Sequence, residues 1–581
     1  MSLTEQQKKL VYELDDSAFV VACPGAGKTR AAVGRYLRRC AEEPRKGVAL
    51  VSFTNAAIDE VRERCTQQNE QNALRAPHFV GTFDSFIHRF VVSPVYRSMY
   101  HTTPRLIQSW ADTKASSFRL GIRAAVPDVQ LSWFDFDIAG RATLCPSRIP
   151  VTAGTRLRGF LEGSRRQEAE NRAGSIYHAL LAAGTVPCDV SRFLASAWIN
   201  DPVVGELIGR LVSDRFSEVM VDEAQDCGED ELGLLDFLRG RAVRVLMVGD
   251  LDQSIYEFRR AVPEKVRAFA LGLPVQLPLT DNFRSTPAIC ALNNALRMGS
   301  TIDISRGPHA SDQTPVQVLS YATPADIAPS ILATIDRHGL ETRDTMVVSH
   351  RTADAMKAVG IGTTDPVGNN RVAAVVDAGR KLREGADNRT RLTAVERVAS
   401  YLVEAAVGAF GHKSVEAVCE EHGIDRRWLR DAALRLSQSL TPDSMAPSEF
   451  AAAVRARVNS LDWPAQLTVD ASIFRAPTAT VWANLTKADV RPALPFSTIH
   501  GVKGQQFPAI ALVLPSQNNR RSNSGPTALD HWEDNTAGEP RRVLYVGASR
   551  AQRLLLLLTP KAQTQRVLRL LTRDAVPFHA V

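Results

Sequence analysis

The sequence has few of the features that mark several protein classes. Its eight cysteines include no Cys-x-x-Cys pair, which argues against a zinc ribbon or an iron–sulfur cluster. Reduced thiols are the expectation. No apolar run approaches the roughly 18–20 residues that a membrane-spanning helix needs, and Leu554–Leu558 suits a buried strand instead. Met1–Asp16 is polar and lacks a signal-peptide core. A cytoplasmic protein with no membrane partner is therefore expected. The absence of an internal repeat of roughly 20–50 residues excludes a solenoid.

What is present fits a large globular chain. Of 581 residues, 44% are hydrophobic and 23% charged, so disorder is excluded as the main state and several domains are expected. The net charge of +7 leans toward an anionic partner such as nucleic acid. Short apolar runs recur at Phe19–Ala22, Val48–Phe53, Glu218–Val221, Val243–Val248, Thr345–Val348 and Ala509–Leu514. Each leads into a helix-like segment. Continuous apolar strands of this kind predict an α/β fold of parallel sheets flanked by helices. Two stretches break the rhythm, from about 90 to 198 and from about 368 to 492, and both read as mainly helical insertions. Within the second, Thr390–Ala409 and Ser414–Ser439 are long and amphipathic. Val415–Ala432 reads as helix, Gly423, helix, which suits either a plain helical hairpin or a DNA-reading helix-turn-helix. Asn518–Asn535 is polar and predicts an exposed loop.

Ala22-Cys23-Pro24-Gly25-Ala26-Gly27-Lys28-Thr29 lies between an apolar strand and a helical run. A phosphate-binding loop must turn its backbone N–H groups inward, and Gly25 and Gly27 permit that approach. The following helix adds its positive end, Lys28 can reach the β- and γ-phosphates, and the Thr29 hydroxyl can ligate Mg²⁺. Ala22 stands where the strict pattern has glycine. A second apolar strand ends in Asp222-Glu223-Ala224-Gln225-Asp226. There Asp222 would hold Mg²⁺, and Glu223 would orient and deprotonate an attacking water.

With these residues in place, the sequence resembles superfamily 1 helicases of the UvrD/Rep/PcrA type over nearly its whole length, motif by motif and in order. Leu3-Thr4-Glu5-Gln6-Gln7 is similar to the adenine-reading segment, with Gln7 in the reading position. Val51-Ser52-Phe53-Thr54-Asn55 and Gly81-Thr82-Phe83 through His88-Arg89 are similar to DNA-contacting motifs. The longest match is Val248-Gly249-Asp250-Leu251-Asp252-Gln253-Ser254-Ile255-Tyr256-Glu257-Phe258-Arg259, where the family usually has Trp at Phe258. Asp281-Asn282-Phe283-Arg284-Ser285-Thr286, Thr498 through Phe507, and Val543 through Ala551 complete the set.

The resemblance implies two RecA-like domains with ATP and Mg²⁺ in the cleft between them. Glu223, Gln253, Arg284 and Arg550 would be catalytic, the two arginines acting from the second domain. Gln7, Ala22, Gly25, Gly27, Lys28, Thr29, Arg30, Arg259, Phe283 and Gln506 would contact the nucleotide, with Thr29 and Asp222 on the metal. Phe53, Thr54, Thr82, His88, Tyr256, Phe258 and His500 would contact DNA. The aromatic residues would stack on bases, although Phe53 also suits a core position. Gln506 departs from the family's usual Glu and keeps only a neutral hydrogen-bonding head.

The implied domains are 1A (1–89 and 206–276), 1B (90–205), 2A (277–369 and 491–581) and 2B (370–490). The implied activity is ATP-dependent 3′→5′ movement on single-stranded DNA and at single-strand/duplex junctions. Its setting would be DNA repair or recombination, or antiviral defence as in the compact GajB helicases of Gabija systems. The alternative is a DNA-sensing ATPase switch that controls a partner nuclease and unwinds little by itself.

Overall fold

The computed structural model describes residues 3–53, 55–67, 70–113, 116–120, 128–150, 153–255, 263–299, 301–360, 370–383, 388–410, 415–442, 445–486, 494–515 and 525–581. The chain forms two compact units. One comprises 1–99, 191–363 and 492–581, and the other comprises 100–190 and 364–491.

The first unit contains two six-stranded sheets. The strands of one are β1 (Ala18–Ala22), β2 (Gly47–Ser52), β3 (Phe79–Thr82), β4 (Phe216–Asp222), β5 (Arg244–Gly249) and β6 (Val275–Leu279), in the spatial order β6-β1-β5-β4-β2-β3. Those of the other are β7 (Val316–Tyr321), β8 (Thr345–Ser349), β9 (Phe496–Thr498), β10 (Phe507–Val513), β11 (Ala551–Pro560) and β12 (Phe578–Ala580), in the order β9-β8-β10-β11-β7-β12. Every pairing in both sheets is parallel. Read from its opposite edge, the second sheet repeats the strand order of the first. The central strands are buried on both faces, as in β2 and in the Leu554–Leu558 run of β11, because parallel crossovers place helices on each side. One face of the second sheet packs Leu319, Ala511 and Leu556 against Ile327, Ile331 and Ile335. The other packs Val318, Leu512 and Leu557 against Val543, Val546 and Val567.

In the second unit, residues 370–486 have their own helical core. Helices Arg371–Arg383, Asn388–Val407, Arg426–Ser439 and Pro447–Asn459 bury Val398, Leu402, Leu429, Phe450 and Val454. Gly423 at φ +68° turns the chain between Val415–His422 and Arg426–Ser439, and Asp425 caps the latter by accepting from the N–H groups of Arg427 and Trp428. The stretch from 100 to 190 is less helical than its composition predicts. Pairs of two- and three-residue strands occupy Ser117–Phe118 with Val129–Gln130, and Phe134–Phe136 with Ala142–Leu144. A parallel pair joins Arg105–Ile107 to Thr185–Pro187. Helix dominates only after Gly154.

The polar stretch expected as a loop also contains a helix, Ala528–Glu533. Thr527 and Asp530 form its capping box, and Trp532 is buried with its indole N–H donating to Asp574 (2.7 Å). One aromatic anchor and a cap outweigh the polar composition around them.

Candidate nucleotide site

The loop after β1 is held on both sides. Gly25 and Gly27 have φ of +73° and +72°, in the left-handed region that favours glycine. A Cβ on Gly25 would stand 2.6 Å from Arg284 Cβ and 2.8 Å from Asn282 Oδ1, and the Gly25 carbonyl accepts from Phe283 N–H (3.1 Å). Ala22 is fully buried at the end of β1, and the Cys23 N–H donates to the Leu279 carbonyl of β6. Burial raises the Cys23 thiol well above its usual range, so it stays protonated and acts as a small packing residue.

Helix Lys28–Glu42 starts at the loop, with Lys28 and Thr29 in its first turn. Arg30 follows them, half-buried. Thr29 Oγ1 donates to Asp222 Oδ2 at 3.0 Å. These two oxygens, in the first turn of helix Lys28–Glu42 and at the end of β4, form a hard-donor pair of the kind Mg²⁺ takes. The left-handed turns at Gly25 and Gly27 let the loop curl its N–H groups toward the phosphates such an ion accompanies. The residues present therefore fit a nucleotide with its metal.

Asp222 and Glu223 are adjacent but differ in environment. Burial, then the neighbouring Glu223 charge, raises Asp222, against Lys28 and the Thr29 hydroxyl. Burial acts in the same direction on Glu223, but Lys28, Lys503 and the Gln225 amide outweigh it and lower its pKa. Such a split keeps one carboxylate ionised and able to accept a proton. Glu223 itself sits at φ +57°, with its N–H donating to Asp222 Oδ1 (3.0 Å) and its carboxylate accepting from the Gln225 side chain. A non-glycine residue in this region is strained, as functional residues often are.

The second sheet closes the site. Arg550, at the entry to β11 and 2% exposed, donates from Nη2 to Gln253 Oε1 (2.7 Å). Gln253 Nε2 donates in turn to Asp250 Oδ2 (2.8 Å), which also accepts from Tyr545 Oη (2.7 Å). Arg284 donates from Nε to Gln506 Oε1 (3.1 Å) and from Nη1 to the Ser549 carbonyl (2.8 Å). Burial, then the Arg550 charge, lowers the Arg284 pKa. Two guanidiniums that repel one another in this way favour an anion between them. Lys503 Nζ contacts both carboxylate oxygens of Asp226, at 2.9 and 2.8 Å.

Gln7 Nε2 donates to the Ala26 carbonyl (2.8 Å), and its Oε1 accepts from Thr4 N–H (3.2 Å). Here Gln7 braces the loop itself.

The residues expected to contact DNA are more dispersed. Half-buried Phe53 stacks on buried Phe83, with ring centroids 5.6 Å apart. Thr82 caps the short helix Phe83–Phe86 by accepting from Ser85 N–H. His88 is buried, with Nδ1 3.5 Å from Ser191 Oγ. His500 Nε2 lies 3.2 Å from the Ile255 carbonyl, and its ring lies 5.7 Å from that of His350. Thr54, Tyr256, Phe258 and Arg259 lie outside the described residues.

Sequence reasoning did not single out Lys503, Asp226, Asp250, Tyr545 or Asn282. All of them stand in the quoted motifs, but their pairings span up to 295 residues and leave no local pattern.

Residues 3–120 and 198–271 match the family model of the UvrD/REP helicase N-terminal domain. DNA helicase II of Salmonella typhimurium is 27% identical over 51% of this chain and 40% of its own length. The Escherichia coli ATP-dependent DNA helicase Rep is 23% identical over 55% of the chain and 46% of its own length. ATP-dependent DNA helicase UvrD2 of Mycobacterium tuberculosis is 24% identical over 95% of the chain and 77% of its own length. The match therefore spans about two fifths of DNA helicase II, and most of UvrD2. With its ordered motifs and paired parallel sheets, the chain is similar to the UvrD/Rep-like superfamily 1 helicases.

Proposed function

We propose that the protein is an ATP-dependent DNA helicase or translocase that moves 3′→5′ on single-stranded DNA. The observation that carries this reading is the hydrogen bond from Arg550, beside the second sheet, to Gln253, beside the first. A group that senses the reacting phosphate is thereby tied to both sheets. In this reading the two sheets are the cores of domains 1A and 2A, and the stretches near 90–205 and 370–490 serve as 1B and 2B.

Lys28 and the loop N–H groups would hold the phosphates, and Thr29 and Asp222 would hold Mg²⁺. The ion, when bound, supplies charge neutralisation at the β- and γ-phosphates. Glu223 accepts the proton of the attacking water. Gln253 fixes Arg550, and Arg550 with Arg284 stabilises charge on the transferring phosphoryl oxygens. Gln7 would bind adenine by exchanging its bond to Ala26, and Arg30, Arg259, Phe283 and Gln506 would complete the nucleotide contacts. Phe53, Tyr256, Phe258 and His500 would grip bases, with Thr54, Thr82 and His88 alongside. Each cycle of closure and relaxation would advance the grip.

The test is strand release from 3′-tailed and 5′-tailed duplexes with ATP, using Glu223→Gln as control. Release from the 3′ tail alone, lost in the variant, supports the reading. DNA-stimulated ATP hydrolysis without release from either tail favours the switch. Release from the 5′ tail alone overturns the polarity.

A further inference from the structure

The two sheets share one strand order, so each position in the first has a counterpart in the second. The nucleotide loop of the first sheet follows β1, where neighbouring strands β1 and β5 send their connections in opposite directions along the sheet. The equivalent place in the second sheet lies between the carboxyl ends of β7 and β11. The chain leaves β7 for one face, through helix Ile327–Arg337, and leaves β11 for the other, through helix Lys561–Arg573. Ligands of open parallel sheets bind at such switch points. A cavity of about 380 Å³ opens here, large enough for a small organic ligand.

We propose that this cavity is a second nucleotide-binding site, independent of the one beside β1. Its walls are apolar and stiff: Tyr321, Ile327, Val513, Pro324, Pro515 and Pro560. Flat faces of this kind suit a base. Asp354 lines the cavity, and its Oδ2 is buried with no hydrogen-bond partner among the described residues. The Asp354 carboxylate in the cavity wall can accept from an amino group on a base edge. Lys357, one turn along the same helix, and Lys561, at the start of the last helix, also line the cavity and provide cations for phosphate.

The loop after β7 does not reproduce a phosphate loop. Its Ala322 and Thr323 N–H groups donate to the Asp326 carboxylate (3.1 and 2.7 Å). Phosphate would therefore fall to the lysines, and the site should accept a nucleoside monophosphate without Mg²⁺. Adenine, guanine and cytosine present an amino group to Asp354. Uracil offers one imide N–H between two carbonyls that repel the carboxylate, so UMP should bind least well. The nucleotide can be free or the end of a DNA strand.

Equilibrium dialysis of labelled AMP, GMP, CMP and UMP against the full chain, without metal, tests this. Lys28→Ala serves as the background that weakens the first site. The expectation is about one nucleotide per chain retained in Lys28→Ala. Affinity should then drop at least about tenfold when Asp354→Asn and Lys561→Glu are added. ATP binding by Asp354→Asn and Lys561→Glu without the Lys28 change confirms that these variants fold. Competition by a 5′-phosphorylated oligonucleotide assigns the site to a strand end, and its absence assigns it to free nucleotide. No binding in Lys28→Ala, or binding that the pocket substitutions leave unchanged, overturns the proposal.

Discussion

At the scale of residues, Gly25 shows how closely the loop and Arg284 are fitted. Its φ of +73° and the 2.6 Å approach of Arg284 Cβ leave no place for a methyl group. Gly25→Ala should fold yet bind ATP at least about tenfold more weakly, read by nucleotide titration, because the neighbour is backbone-anchored and cannot move aside. His78 gives a pH dependence. Its Nδ1 accepts from the Val48 N–H at 3.2 Å, and burial lowers its pKa in the folded chain. The unfolded chain therefore binds the proton more readily. The His78 contribution is full above the ordinary histidine pKa and is lost as pH falls through it. The urea midpoint should drop between pH 7.5 and 5, and His78→Gln, which keeps an acceptor, should show a smaller drop. An equal drop in both would remove His78 as a cause.

At the scale of elements, the strands readable in the sequence are those buried on both faces, such as β2 and β4, where continuous apolar runs stand out. β6 carries Pro278 and an alternating pattern at the sheet edge, and β9 and β12 have three residues each, so neither periodicity nor length marks them. The short strand pairs between 117 and 144 escape for the same reason. The motifs of the candidate site are readable because each is contiguous. The cluster around Arg297 was not. This 1%-exposed side chain meets Asp303, Asp250 Oδ1 (3.4 Å) and Asp252 Oδ2 (3.5 Å), joining the helix Pro287–Leu296 to the segment that carries Gln253. Arg297→Ala would leave three buried carboxylates without their cation. It should cost about 3–5 kcal/mol in urea unfolding and lower ATP turnover through misplacement of Gln253. A loss under about 1 kcal/mol would show that the cluster relaxes to water.

At the scale of the molecule, the first unit places two sheets of one topology in a single compact body, whereas residues 370–486 of the second unit build a separate helical core. No described helix is long and apolar enough to cross a membrane, and the described residues include no group of three or more metal-ligating side chains. In the proposed function, the chemistry is concentrated where the sheets meet, at Lys28, Asp222 and Glu223 from one and Arg284 and Arg550 from the other. The most direct test of this shared site is DNA-stimulated ATP turnover by Arg550→Ala, with ATP binding measured on the same preparation. Turnover should fall by about 10³-fold or more while ATP binding stays within a few-fold of wild type. Turnover near the wild-type rate would contradict a site completed by the second sheet.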